Sequence, residues 1–168
     1  MKICGANATS GMTEPLINLV YLDTNVFIRA VEGTDEASAP AKTLIDVLRS
    51  RPAGMAVTSE ITLAEVLAPS RRRDAAPLHL KRPAYLDLLV WSGLFTLIPV
   101  SRHVLLQTAE LRETTNLKLP DAIHLVSAAH ARCSFFVSAD KDFGKMPNGV
   151  ELVGSDHESL SRLIQDLS

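Results

Sequence analysis

Cysteine is scarce in this chain of 168 residues, and Cys4 and Cys133 form neither a CxxC pair nor any metal-ligand spacing. Their rarity argues against a cysteine-held metal or a disulfide framework and makes a reduced, cytoplasmic protein the expectation. Long apolar runs are missing too. None approaches the roughly 20 residues needed to cross a bilayer, so no membrane association is expected. Residues 1–12 lack the apolar core of a signal peptide. Net positive charge is also absent: the formal charge of −2 provides no global attraction for nucleic acid. A polyanionic partner would have to be held by a local basic patch or through metal ions. No internal repeat or domain linker interrupts the chain.

What is present fits one globular domain. Apolar residues make up 46% of the chain and charged residues 21%, a balance that supports a hydrophobic core and argues against disorder. Residues 1–15 are expected to be a disordered leader or a misassigned start, with Met12 a credible true beginning. Residues 16–154 are expected to form the domain, and 155–168 a C-terminal helix packed on it.

Short apolar runs alternate with helical patterns. Strands are expected at 16–22, 55–58, 95–100, 134–137 and 150–153. Asp23 and Thr24 offer capping side chains to a first helix, and Ala41, Leu44, Ile45 and Leu48 recur at helical period in a second. Ser59 is placed to cap a short helix ending before Pro69. Helices are further expected at 85–91, 104–114, 121–131 and 157–167, the segment 121–131 being apolar on nearly every side. The stretch 70–83 is the least regular and carries Arg71, Arg72, Arg73, His79, Lys81 and Arg82. Strands separated by helices of this length imply βαβ units, a mostly parallel sheet and a three-layer α/β domain.

Four carboxylates stand out by position. Asp23 follows the first strand and Asp140 the fourth; Glu65 lies in the helix after the second strand; Asp121 opens the buried helix. The C-terminal ends of parallel strands share one edge, where open α/β sheets bind ligands. Each acid also admits a local reading. Asp23 serves as a helix cap, Asp121 as a favourable charge at a helix N-terminus beside Pro120, and Asp140 as a turn residue. Glu65 resists such a reading. It sits on a mostly apolar helix, and a carboxylate near a core needs a partner or a raised pKa. Two carboxylates about 5 Å apart repel by roughly 3 kcal/mol at an effective dielectric near 20. Protonation or a divalent cation must relieve a cluster of them. An all-oxygen set favours Mg²⁺ or Mn²⁺ over zinc, and Mg²⁺ commonly partners phosphate oxygens.

Four segments carry a family resemblance. Tyr21-Leu22-Asp23-Thr24-Asn25-Val26-Phe27-Ile28, Ser59-Glu60-Ile61-Thr62-Leu63-Ala64-Glu65-Val66-Leu67, Leu119-Pro120-Asp121-Ala122-Ile123-His124-Leu125 and Phe136-Val137-Ser138-Ala139-Asp140-Lys141-Asp142-Phe143 resemble PIN-domain nucleases. The nearest likeness is to VapC-type toxins of prokaryotic toxin–antitoxin pairs. It covers residues 16–153. The resemblance implies a parallel sheet of order 3-2-1-4-5 flanked by helices, and Mg²⁺- or Mn²⁺-dependent endonucleolytic cleavage of single-stranded RNA. It maps Asp23, Glu65, Asp121 and Asp140 onto the acidic quartet, with Asp23, Asp121 and Asp140 as metal ligands. Thr24, Asn25 and Ser138 match supporting positions, and Asp142 an additional or substitute acid. A cognate antitoxin and a homodimer are implied in the same way. Two other functions share these residues: housekeeping RNA processing without an antitoxin, and a non-catalytic binding module with the same fold.

The remaining features have two readings each. The basic stretch 70–83 is either a phosphate-contacting patch or a solvated loop. His124 is a core histidine or a group supporting the site, with the core role favoured. Trp91 and Phe95 are expected in the core, as is Cys133.

Overall fold

The computed structural model describes residues 18–69, 77–140, 143–144, 146–147 and 149–167. The leader, Arg71 to Arg73 and Asp142 therefore lie outside the described residues.

Five strands form one parallel sheet in the order β3-β2-β1-β4-β5. They are β1 (Val20–Leu22), β2 (Ala56–Ser59), β3 (Phe95–Ile98), β4 (Phe135–Ser138) and β5 (Glu151–Gly154). Both order and direction match the expectation. Side chains alternate across β1 as strand geometry requires. Val20 and Leu22 enter one core with Phe27, Leu44, Leu48 and Tyr85, whereas Tyr21 enters a second core with Leu125, Phe136 and Phe143. A sheet buried on both faces makes three layers.

Helices α1 (Thr24–Glu32), α2 (Ala39–Arg49) and α7 (His157–Asp166) contribute to the first core. On the opposite face, α6 (Leu119–His130) packs against α5 (Arg102–Thr114) and β2. Every residue of α6 from Ala122 to Ala128 is buried, which explains its nearly uniform apolar sequence. The buried stem of Phe27 stabilises the first layer by about 2 kcal/mol relative to exposure, and its ring meets Phe95 edge-on at 4.9 Å.

Two expectations are corrected. Irregular chain was expected through Pro83 with a helix beginning at Tyr85, but α4 (Leu78–Leu86) already runs through Pro83 and passes into a π-helical turn at Asp87–Trp91. Proline removes one helical hydrogen bond, yet contacts on both sides of it hold the helix. Tyr85 is fully buried, and Lys81 Nζ lies 2.7 Å from Glu32 Oε1 of α1. Gly93, at φ +68°, follows the turn and reverses the chain toward β3. Trp91 is the second correction: it is 66% exposed rather than buried, because the π turn rotates it off the face that carries Leu88 and Leu89 inward. Phe95 and Cys133 are buried as expected, and burial pushes the Cys133 thiol up to about 12.

Candidate active site

Strands β2 and β3 lie to one side of β1, and β4 and β5 to the other, so the chain reverses its direction of spread between β1 and β4. That switch point opens a crevice at the C-terminal strand ends. Asp23 stands there. Its backbone N–H donates to the Val137 carbonyl at 3.0 Å, fixing it between the two strands. Its Oδ1 accepts the Thr24 N–H at 2.7 Å, so the residue does cap α1. The cap leaves Oδ2 facing the crevice wall, where it accepts from Asn25 Nδ2 at 2.6 Å and Ser138 Oγ at 2.7 Å.

The supporting residues tie both strand ends together. Asn25 Nδ2 also donates to Ser138 Oγ at 2.9 Å, and Asn25 Oδ1 accepts the Ala139 N–H at 2.9 Å. Ser138 Oγ accepts the Asp140 N–H at 2.9 Å, which seats Asp140 two residues beyond β4. One serine hydroxyl thus links Asp23, Asn25 and the backbone of Asp140.

Glu65 sits on α3 (Ile61–Val66), a short helix that follows β2. Its Oε2 accepts Thr24 Oγ1 at 2.5 Å and faces His124 Nε2 at 2.9 Å. The partner that this carboxylate requires is therefore a histidine from α6. His124 is only 1% exposed; its Nδ1 meets the Tyr21 hydroxyl at 2.8 Å, and its Nε2 lies 3.6 Å from Asp23 Oδ1. It is a core histidine that also contacts two candidate site acids.

Asp121, in the first turn of α6, lines a cavity of about 120 Å³ with Asn116, Leu117, Lys118, Asp140 and Phe143. Burial raises the Asp121 carboxyl above its ordinary range. The charges of Asp23 and Asp140 raise it further, while Lys118 and His124 oppose the shift. Asp23 is raised by its own burial, only in part offset by His124, Ser138 and the Thr24 N–H. Glu65 behaves differently. Burial works to raise it, but hydrogen bonds from His124 and Thr24 and the charge of His124 outweigh burial and hold it below the usual value. Partners within the protein thus hold Glu65 below its usual range, whereas burial and the charges of Asp23 and Asp140 hold Asp121 above its own.

Among the described residues, no three His, Cys, Asp or Glu side chains already stand close enough to hold an ion together. Asp23, Asp121 and Asp140 nevertheless fit a hard cation chemically. They offer carboxylate oxygens only, and Asp121, raised by burial and further by the charges of Asp23 and Asp140, gains from any positive charge placed among them.

An open parallel α/β domain with acids at its switch point defines a broad class. The family profile of the PIN domain matches residues 20–149, and the chain belongs to that family. Among solved structures, a toxin–antitoxin complex from Klebsiella pneumoniae is similar at 26% identity and a TM-score of 0.56, over 79% of this chain and 95% of that one. VapBC2 from Rickettsia felis bound to a promoter DNA fragment is similar at 17% identity and TM-score 0.57, over 81% and 98%. FitAB bound to the IR36 DNA fragment is similar at 16% identity and TM-score 0.56, over 82% and 95%. No curated protein matches in sequence.

Sequence reasoning undervalued two groups. His124 was weighed mainly as core, although its i+3 spacing from Asp121 was the available signal. Lys118 was overlooked, although it is the cation nearest in sequence to Asp121 and borders the same cavity. The basic stretch also changes meaning, because Lys81 is committed to Glu32 rather than to a phosphate patch.

Proposed function

We propose that this protein is a Mg²⁺- or Mn²⁺-dependent endoribonuclease that hydrolyses phosphodiester bonds in single-stranded RNA and acts as the toxin of a toxin–antitoxin pair. The observation that carries the reading is the gathering of acids at the sheet's switch point: Asp23 and the Asp140 backbone share the Ser138 hydroxyl, and Asp140 lines one cavity with Asp121. These three side chains would hold the cation. When bound, it supplies Lewis-acid stabilisation of phosphate charge and eases deprotonation of water.

The chain's own groups do the positioning. Thr24 N–H, Asn25 and Ser138 fix Asp23 in one orientation, so little reorganisation is needed when substrate arrives. Glu65, held ionised by His124 and Thr24, completes the quartet. Lys118 is exposed at the cavity rim and is suited to a backbone phosphate, supplying locally the positive charge that the whole chain lacks. The toxin assignment draws on membership of the PIN family and on the likeness to the Klebsiella toxin–antitoxin complex. Leu80, Val90, Trp91, Leu105 and Leu106 are exposed apolar side chains suited to the protein contacts that an antitoxin and a second copy would need. A cytoplasmic site of action accords with an RNA substrate and with the absence of a membrane-crossing helix among the described residues.

Induced expression in a bacterial host tests this reading. Wild-type protein should arrest growth and leave cut RNA, and Asp23→Asn should do neither. Equal arrest by both proteins would overturn the mechanism. RNA cleavage by the purified protein without growth arrest would favour the RNA-processing alternative.

A further inference from the structure

The Tyr21–His124 pair lies outside the acidic quartet, yet it links the second core to a quartet acid through a side chain of α6. We propose that Tyr21 and His124 form a positioning relay that locks an imidazole Nε2–H onto Glu65, holding that acid in place relative to Asp23. The inference rests on the function proposed above for its catalytic meaning, but not for its geometry.

The donor logic fixes the direction of the relay. An ionised carboxylate can only accept, so the 2.9 Å contact to Glu65 Oε2 requires hydrogen on His124 Nε2. Nδ1 is then the ring atom available to the Tyr21 hydroxyl at 2.8 Å. Tyr21 is fully buried, with its hydroxyl 2.8 Å from Nδ1. In the neutral ring the tyrosine donates to Nδ1, which leaves Nε2 as the protonated nitrogen, and in the imidazolium both nitrogens carry hydrogen, so an Nε2–H faces Glu65 in either state. A histidine whose far nitrogen is fixed by a partner has its tautomer and ring plane fixed too. The ring also meets Tyr21 edge-on at 5.9 Å, and Tyr21 stacks on Phe136 at 5.1 Å, so the relay is anchored in β1 and β4.

Thr24 completes the clamp. Its Oγ1 donates to Glu65 Oε2 at 2.5 Å and lies 3.0 Å from His124 Nε2. Glu65 Oε2 therefore has two donors, one from α1 and one from α6, although its own helix α3 is only six residues long. Such a short helix cannot by itself fix a long glutamate rotamer. Nε2 also stands 3.6 Å from Asp23 Oδ1, so one N–H is shared between the fields of both acids. His124 thus acts through Glu65 and Asp23 rather than on substrate.

The test combines nitrogen NMR of the histidine ring with Mn²⁺ calorimetry. In the wild-type protein His124 should carry hydrogen on Nε2, and Tyr21→Phe, which removes the Nδ1 partner that fixes the ring plane, should broaden the ring nitrogen signals and weaken Mn²⁺ binding; unchanged signals and affinity would contradict the relay. A wild-type ring protonated on Nδ1 alone would overturn the proposal. His124→Leu keeps volume without a donor and should weaken Mn²⁺ binding by about 10- to 100-fold, the usual effect of losing such support. His124→Gln, which returns an N–H near the Nε2 position, should restore most of that loss; equal weakening by Leu and Gln in folded proteins would contradict the relay. Failure of His124→Leu to fold leaves the decision with Tyr21→Phe. If wild-type protein binds no Mn²⁺, the proposed function fails, and the ring's protonation state alone decides the relay.

Discussion

Asp121 illustrates how a single candidate site residue is held against its own preference. Its pKa is raised in the folded protein, so ionisation costs stability above the ordinary Asp range, and that cost disappears below it. Asp121→Asn should therefore stabilise the metal-free protein at pH 7. Because the side chain is partly solvated, the gain is a modest Tm rise of about 1–3 °C. Thermal melts in EDTA should show the gain fading toward pH 3–4, where the wild-type carboxyl is protonated. Ser138→Ala probes the other side of the crevice. It removes the hydroxyl shared by Asp23, Asn25 and the Asp140 N–H, and Mn²⁺ titration should show affinity falling about 10- to 100-fold. The aspartates were legible in the sequence because each sits just past a strand or in the first turn of a helix, and Glu65 because it is a charge on a mostly apolar helix. His124 was less legible: an apolar helix with one histidine fits a core as well as a site. Only the fold brings Tyr21 and Glu65 to its two nitrogens, from 103 and 59 residues away.

At the scale of elements, the clearest stabilising contact outside the site joins α4 to α1. Lys81 is 8% exposed and Glu32 Oε1 accepts from both Lys81 Nζ at 2.7 Å and Tyr85 Oη at 2.5 Å. Burial, followed by the hydrogen bond to Glu32 and its charge, raises the Tyr85 phenol, keeping it a donor. Lys81→Met should cost about 1.5–3 kcal/mol in urea denaturation. This contact also explains why sequence reading ended the irregular stretch too late. Proline within a short pattern reads as a boundary, and the pull of Glu32 on Lys81 is invisible without the fold. Strands were easier. Each is a brief apolar run bounded by turn or capping residues, and a sheet covered on both faces selects for that signature. The exposed Trp91 was misjudged for the opposite reason: a π turn shifts the helical register, and no periodic count anticipates it.

For the whole molecule, the parallel sheet converts residues more than a hundred positions apart into neighbours. Asp23 and Asp140 are both tied to the Ser138 hydroxyl at the switch point because β1 and β4 are adjacent in the sheet, with Leu22 beside Val137. The order of strands, legible from the resemblance and confirmed by the sheet, is thus the feature on which the acidic crevice depends. The proposed function joins these acids to a divalent cation and, through membership of the PIN family, to a phosphodiester substrate. The decisive measurement is cleavage of a mixed-sequence single-stranded RNA by purified wild-type and Asp121→Asn proteins, in EDTA and after Mn²⁺ or Mg²⁺ is restored. The wild type should be silent in EDTA and active with metal, and Asp121→Asn at least about 100-fold slower. Cleavage that persists in EDTA, or that survives undiminished in Asp121→Asn, would contradict a metal-dependent carboxylate site.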